Sequence, residues 1–399
     1  MNANWNRIFQ MLKKHERLII GLMSGTSMDG LDIALCQVSG SGVSTQLKVL
    51  KFATMNFSPE FKGQIKMICS KREVDLQMIC LMNEEVGIQH AKLVLECINS
   101  WGFKPEDIDA IASHGQTIFH APKSLHGIAD YPNATLQIGD GDHIAVGTGI
   151  LTISDFRQKH IAAGGEGAPL AIYGDYLFFS KQGEERVMLN IGGIANFTYL
   201  PGDLQAGKVF STDVGPGNTL MDQYIQQHYD GKYYDEDGQI AASGQISDRL
   251  LNYLLEVPFL KMDFPKTTGP ELFSLKYLES VMLESGTKNL KPEDVVATLC
   301  CFSAQVIIDA LLRSFAAVSG IQVYLSGGGM HNPQLVNHLK TRLPHFQFHT
   351  TSVLGIDPDA KEAVLFALLA NETLMGKPID FGDRPGIPSV CMGKISLPD

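Results

Sequence analysis

The chain has 399 residues, 44% of them hydrophobic and 19% charged, with a formal net charge of −11. That size suits two domains with sizeable cores. The negative balance excludes a general nucleic-acid or anionic-membrane surface, so an anionic small molecule would need a local pocket of backbone amides. Seven scattered cysteines (36, 69, 80, 97, 300, 301, 391) contain no CxxC pair and read as reduced core thiols rather than a zinc site. The cytoplasm is the default location.

At the start, Trp5, Ile8, Phe9 and Leu12 have helical spacing and predict a short amphipathic helix over 3–14, docked on the protein's own surface. The apolar run Leu18–Met23 is too short for a signal-peptide core or a membrane span. Residues 18–38 read as strand, glycine turn, strand around "GLMSGTSMDGLD", and 47–57 alternate as a further strand. The stretch 59–100 is helical, with Val86, His90, Leu93 and Cys97 on one stripe. "IDAIASHGQTIFH" (108–120) predicts a strand ending in a polar loop, "ILTISDFR" (150–157) a buried strand, and 161–179 a glycine loop opening a helix.

The first theme returns at 187–200 as "VMLNIGGIANFTYL", and again at 323–332 as "VYLSGGGMHN", a strand, a triple-glycine turn and a helix start. The recurrence suggests two related α/β halves. "DPDAKEAVLFALLANETL" (357–374) predicts a helix capped by Asp357, with Pro358 in its first turn. Its stripe Ala360, Ala363, Ala367, Ala370 fits either an interdomain hinge helix or an ordinary helix packed on a sheet.

A tight turn rich in Gly, Ser and Thr can point several N–H groups at phosphate oxygens. Asp29 and Asp32 would repel phosphate unless a hydrated Mg²⁺ lay between them and it. A decorative hairpin is the plain structural alternative for one such turn; three turns, each after a β-like run, favour phosphate binding. No GxxxxGK[ST] loop and no HRD motif is present. A serine hydrolase on Ser24 or Ser27 lacks the GxSxG elbow.

This arrangement resembles the sugar kinase, heat-shock chaperone and actin superfamily, which implies two ribonuclease-H-like domains flanking a central cleft. More closely, "GLMSGTSMDGLD", "SHGQT", "DFR", "AAGGEGAPL", "LNIGGIAN", "DVGPGN" and "LSGGGMHN", in this order, resemble the anhydro-N-acetylmuramic acid kinases from about residue 18 onward. Residues 1–17 lie outside the resemblance. It implies a domain I of 18–156 plus about 384–399, and a domain II of 157–383. It further implies an ATP- and Mg²⁺-dependent kinase that opens the anhydro bridge with water and phosphorylates the freed 6-oxygen, in cell-wall recycling.

By the same resemblance, Gly25, Thr26, Ser27, Met28, Asp29, Gly30, Leu31 and Asp32 form the first phosphate loop, with Asp29 and Asp32 near the metal. Gly192, Gly193 and Asn196 belong to the second hairpin, and Gly327, Gly328 and Gly329 lie near adenosine. Asp213 takes the place of the catalytic base, and Glu362 that of a second carboxylate near the substrate. Read alone, an aspartate at a strand end more often bonds backbone amides of its own turn. Arg157 suits a bidentate grip on the sugar's lactyl carboxylate or a salt bridge with Asp155, and His114, Gln116 and Thr117 suit sugar hydroxyls. Asn218 reads as a helix cap, and Glu166 has no role the residues define. The expected partners are the sugar and ATP, with no nucleic acid or membrane; the candidate assembly is a homodimer. An ordinary carbohydrate kinase and a non-catalytic nucleotide-dependent sugar-binding protein are the competing readings.

Overall fold

The computed structural model describes every residue except Met1, Asn2, Thr26, Ser27, Asp29, Pro270, Ala317, Pro358 and Pro385. The chain forms two compact units, one of Met1–Phe179 with Gly355–Asp399 and one of Ser180–Leu354.

In the first unit, β1 (Glu16–Ser24), β2 (Gly30–Ser39) and β3 (Gln46–Asn56) make an antiparallel meander. β4 (Ala110–Ala121) joins the other edge of β1 in parallel, and β5 (Ala134–Ile138) pairs antiparallel with β4. β6 (Thr152–Ser154) runs parallel to β4, and the C-terminal strand Lys394–Ser396 closes that edge antiparallel to β6. Central β1 is buried on both faces, which is why it reads as a near-continuous apolar run; β3, half-exposed, alternates.

The second unit repeats the plan. β7 (Arg186–Ile191), β8 (Ile194–Leu200) and β9 (Phe210–Pro216) form the meander, and β10 (Gln322–Ser326) and β11 (Gln347–Thr350) add in parallel beyond β7. Both sheets have the order third–second–first–fourth, with the first strand central. This is the ribonuclease-H-like arrangement, so the α/β class and the duplicated halves expected from the glycine turns are present. Helix Pro292–Phe315 is apolar over most of its surface because it is a core helix, with Gln305, Asp309 and Arg313 on its outer face. By length and composition it could cross a membrane, yet 78% of its most apolar stretch is buried inside the protein.

Helix Lys361–Met375 packs on β1, β2 and β4, which places it in the first unit rather than in an expected domain II reaching to 383. Its alanines 360, 363, 367 and 370 are fully buried. The approach is close: a Cβ on Gly21 of β1 would lie 1.8 Å from the Ala363 carbonyl oxygen. The small-residue stripe therefore serves helix-on-sheet packing. Helices Phe156–Ala162 and Ala171–Phe179 also belong to the first unit.

Other expectations shift at their edges. Asp357 does not cap the helix: its carboxylate accepts the Asp359 N–H in a turn ahead of it, and the cap position falls to Ala360. Pro358 lies outside the described residues. β4 runs straight through the predicted polar loop, because β5 pairs with its far half. The N-terminal helix, Ala3–Leu12, docks through Asn4 and Met11, leaving Trp5 and Phe9 about half exposed rather than buried. All seven cysteines are free thiols.

Candidate active site

In the first unit the polar residues of β4 sit mid-sheet, where burial obliges each to find a partner. Gln116, fully buried, uses both ends of its amide on the first turn and one further bond on its own strand. Ser24 Oγ donates to its Oε1 (2.5 Å), and its Nε2 donates to the Gly25 and Thr117 carbonyls (3.2 Å each). Gln116 thus stands behind the glycine turn as its anchor, instead of facing a sugar hydroxyl. Thr117 Oγ1 accepts from Gln137 (3.0 Å).

His114 is buried, and Arg157 Nε–H donates to its Nε2 at 2.8 Å. An arginine can only donate. His114 must therefore be neutral with its proton on Nδ1, which donates to the Gly115 carbonyl (2.8 Å). Burial, reinforced by the Arg157 charge, pushes its pKa down to about 3. Arg157 Nη1 donates to the Gly167 carbonyl (2.6 Å), and His160 Nδ1 accepts the Gly167 N–H (3.0 Å). Two fixed contacts orient the guanidinium, and among the described residues no carboxylate pairs with it. Asp155, the expected alternative partner, binds Lys394 instead (2.8 Å). Burial lowers the Arg157 pKa, opposed by the charge of Glu362.

Glu362 begins the helix on β1 and is exposed as a residue, with its carboxyl pKa raised by desolvation, lowered by Arg157 and raised again by Asp32. Asp32 lies in β2, not in the turn; one oxygen accepts from Thr54 Oγ1 (2.6 Å), and desolvation raises its pKa. Among the described residues, no group of three His, Cys, Asp or Glu side chains could hold a metal. Thr26, Ser27 and Asp29 lie outside the described residues. Leu31 points into the core, so only its backbone is available to a phosphate. Gly30 is required by the closeness of β3, where a Cβ would meet the Met55 carbonyl at 2.5 Å, and the Met28 N–H closes the turn onto Gly25 (3.2 Å).

In the second unit, strand register aligns Ser326, Asn190, Asn196 and Asp213 in one row across β10, β7, β8 and β9. Three turns meet at its end. The Gly217 and Thr219 N–H groups donate to the Gly193 carbonyl (2.9 and 3.1 Å), and the Asn218 N–H to that of Gly192 (2.8 Å). Asn218 takes the N-cap position of its helix as expected, its carbonyl accepting the Asp222 N–H (2.8 Å), but its side chain makes no cap bond; Nδ2 reaches the Ile191 carbonyl (3.4 Å). Gly327 and Gly329 press on Ile191, while Gly328 has space around it.

Gly217 is fixed by a close approach, since a Cβ there would lie 2.2 Å from the Gly192 carbonyl oxygen. Gly217→Ala is expected to cost ~1–3 kcal/mol, because backbone rather than a side chain must yield. Urea unfolding measures it, and an unchanged midpoint would mean the turns are looser than they look.

Asp213 is half-buried in the middle of β9, because the strand runs on through the predicted turn to Pro216 instead of ending at the aspartate. Its Oδ2 accepts the Thr268 N–H (2.9 Å), and its own N–H donates to the Lys266 carbonyl (3.0 Å). The grip thus comes from the segment 266–268, not from the Gly215–Gly217 turn. Desolvation raises its pKa and the Thr268 bond opposes this. Oδ1 has no hydrogen-bond partner among the described residues, so the carboxylate is held by one oxygen and available at the other. Sequence reading missed Thr268, Lys266, His160 and Gly167. The motif "KTTGP" offers no periodicity to flag it, and His160 gives only an i, i+3 relation to Arg157.

Two ribonuclease-H-like units with glycine turns after their central strands define the sugar kinase, heat-shock chaperone and actin superfamily. A solved structure, the activator of the 2-hydroxyisocaproyl-CoA dehydratase from Clostridium difficile with bound ADPNP, is 13% identical with a TM-score of 0.38, covering 88% of this chain and 94% of its own. The fold assignment here rests on strand order. The chain belongs to the anhydro-N-acetylmuramic acid kinase family, whose profile matches residues 17–395. It is 53% identical to the anhydro-N-acetylmuramic acid kinase of Pseudoalteromonas atlantica over 401 aligned residues, covering the whole of both chains. It is 38% identical to that of Caldanaerobacter subterraneus, covering 98% of this chain and all of that one. The Pseudoalteromonas match includes the N-terminal extension that the family profile leaves out.

Proposed function

We propose that this chain is an ATP-dependent kinase that hydrolytically opens 1,6-anhydro-N-acetylmuramic acid and yields N-acetylmuramic acid 6-phosphate, in cytoplasmic cell-wall recycling. The observation that carries the catalytic assignment is Asp213, gripped by Thr268 through one oxygen with the other available. Asp213 takes a proton from water, whose oxygen bonds to the anomeric carbon as the bond from that carbon to the bridging oxygen breaks. The bridging oxygen attacks the γ-phosphorus, and ADP leaves. Phosphoryl transfer of this kind is mainly positioning and charge stabilisation.

The glycine turns hold the phosphates through backbone amides. Asp32, with Asp29, would hold a hydrated Mg²⁺, which supplies charge neutralisation on the phosphates. Glu362 stands in the same electrostatic neighbourhood as Asp32 and Arg157. Arg157, pre-oriented by His114 and Gly167, takes the lactyl carboxylate with its remaining donors.

The test is ADP release with a panel of sugars. Turnover on the anhydro sugar and none on free N-acetylmuramate supports the reading; the reverse pattern would make the protein an ordinary sugar kinase. Arg157→Lys keeps the charge but loses the fork. Losing about 1.5–3 kcal/mol of charge-assisted hydrogen bonding raises the sugar KM by ~10–100-fold. An anhydro sugar lacking the lactyl group should lose far less, and equal losses on both would remove Arg157 from carboxylate recognition.

A further inference from the structure

In the second unit a cavity of about 500 Å³ opens beside β9, between helix Pro292–Phe315 and the chain from 255 to 266. Val214, Leu260, Phe264 and Val306 form apolar wall, and its charged groups are Lys261, Lys266 and Arg313 against the single acid Asp309. That volume and this mixture of apolar wall with a few charges are typical of small-molecule sites.

Lys266 is more than nine-tenths buried. Its Nζ lies over the rings of Phe259 and Phe264 and donates to the Phe259 and Leu260 carbonyls (2.8 and 3.2 Å). An ammonium has three N–H groups; the third has no partner among the described residues, and no carboxylate pairs with it. Arg313 stacks on Phe264 and donates to the Leu260 and Met262 carbonyls (2.9 and 3.2 Å), with Asp263 at 3.9 Å as its salt-bridge partner. Asp309 already accepts from Gln305 (2.7 Å). A buried cation without a counter-charge, against an apolar wall, is complementary to an anion carried on an apolar body.

We propose that this cavity binds a small monoanion with an apolar body, its head at Lys266 and Arg313 and its body along Val214, Leu260 and Val306. The site reaches Asp213 through the backbone. Lys266 C=O accepts the Asp213 N–H, Thr212 Oγ1 accepts the Lys266 N–H (3.0 Å), and two residues on, Thr268 holds the Asp213 carboxylate. An occupant therefore bears on the strip that grips Asp213; only the catalytic meaning of that link rests on the function proposed above.

Calorimetry on the full chain with octanoate, octanol and octylammonium tests the site. Octanoate should bind saturably, one per chain, at least ~10-fold tighter than either matched probe, as a desolvated charge pair warrants. Ala310→Trp, which fills the cavity, and Arg313→Gln, which removes a charge at its exposed rim, should each weaken octanoate by a similar factor. Should Ala310→Trp fail to fold, Arg313→Gln and the probe series decide. Hydrogen exchange at the Thr268 amide should slow with octanoate. ATP binding, measured on the same preparations, reports separately on the kinase reading. Absent saturation, octanol binding as well as octanoate, or indifference to the folded variants would overturn the site; binding with unchanged Thr268 exchange would overturn the link to Asp213.

Discussion

Asp213→Asn lowers turnover on the anhydro sugar by ~10²–10⁴-fold, the usual worth of a positioned base, while ATP binding is retained. Asparagine matches aspartate in size and can still accept the Thr268 N–H, so the segment 266–268 stays in place. What it lacks is a basic oxygen at the Oδ1 position. The wild-type rate should fall on the acid side through a pKa above the ~3.9 of a free aspartate, because burial raises the Asp213 pKa and only the ionised form serves as base. That acid limb should vanish in the residual rate of the variant. In ¹⁸O-labelled water the anomeric hydroxyl should carry label and the phosphate ester none, provided products are analysed before the free sugar exchanges. Label in the phosphate, or near-normal turnover in the variant, would remove Asp213 from the role of base.

Gly21→Val is expected to destabilise the first unit by ~3 kcal/mol or more, at the upper end for an overpacked site. The new Cβ would lie 1.8 Å from the Ala363 carbonyl oxygen and 3.0 Å from the Ala367 nitrogen. Both are backbone atoms of helix Lys361–Met375, so no rotamer change relieves the clash; the helix must lift from β1, and the buried alanine stripe would lose its contact. Urea unfolding followed by circular dichroism measures the shift, with Gly21→Ala as the milder member of the series. Unshifted midpoints would show that the helix rides higher on the sheet than described.

Much of the fold is legible in the sequence. Alternation in 47–57 and the apolar run in 18–23 report strands, while their places at the edge and centre of the sheet come from the pairing. The glycine turns reported strand ends, since their φ freedom and lack of a side chain are needed where chains approach closely. Position within a strand was harder. Gln116 and His114 belong to one polar motif, yet one anchors a turn and the other orients an arginine; which partner a buried polar group finds depends on long-range pairing that no local pattern encodes. Leu31 was drawn into the phosphate loop by its motif, while the pleat of β2 sends it into the core. The Thr268 contact spans fifty-five residues of chain between it and Asp213, and only tertiary structure could reveal it.

The second unit is one uninterrupted stretch, whereas the first is assembled from segments on either side of it. For a chain emerging from the ribosome from its N-terminus, this sets an order of events. Domains fold as units during synthesis at ~5–20 residues per second, so residues 180–354 can close their core while the rest is still being made. The sheet begun by β1 must wait, its apolar face uncovered, until the helix that packs over Gly21 has left the exit tunnel. Nascent chains stalled just beyond residue 354 plus a tunnel's length should therefore resist protease in the later-made unit first, with the earlier-made one still a client for chaperones.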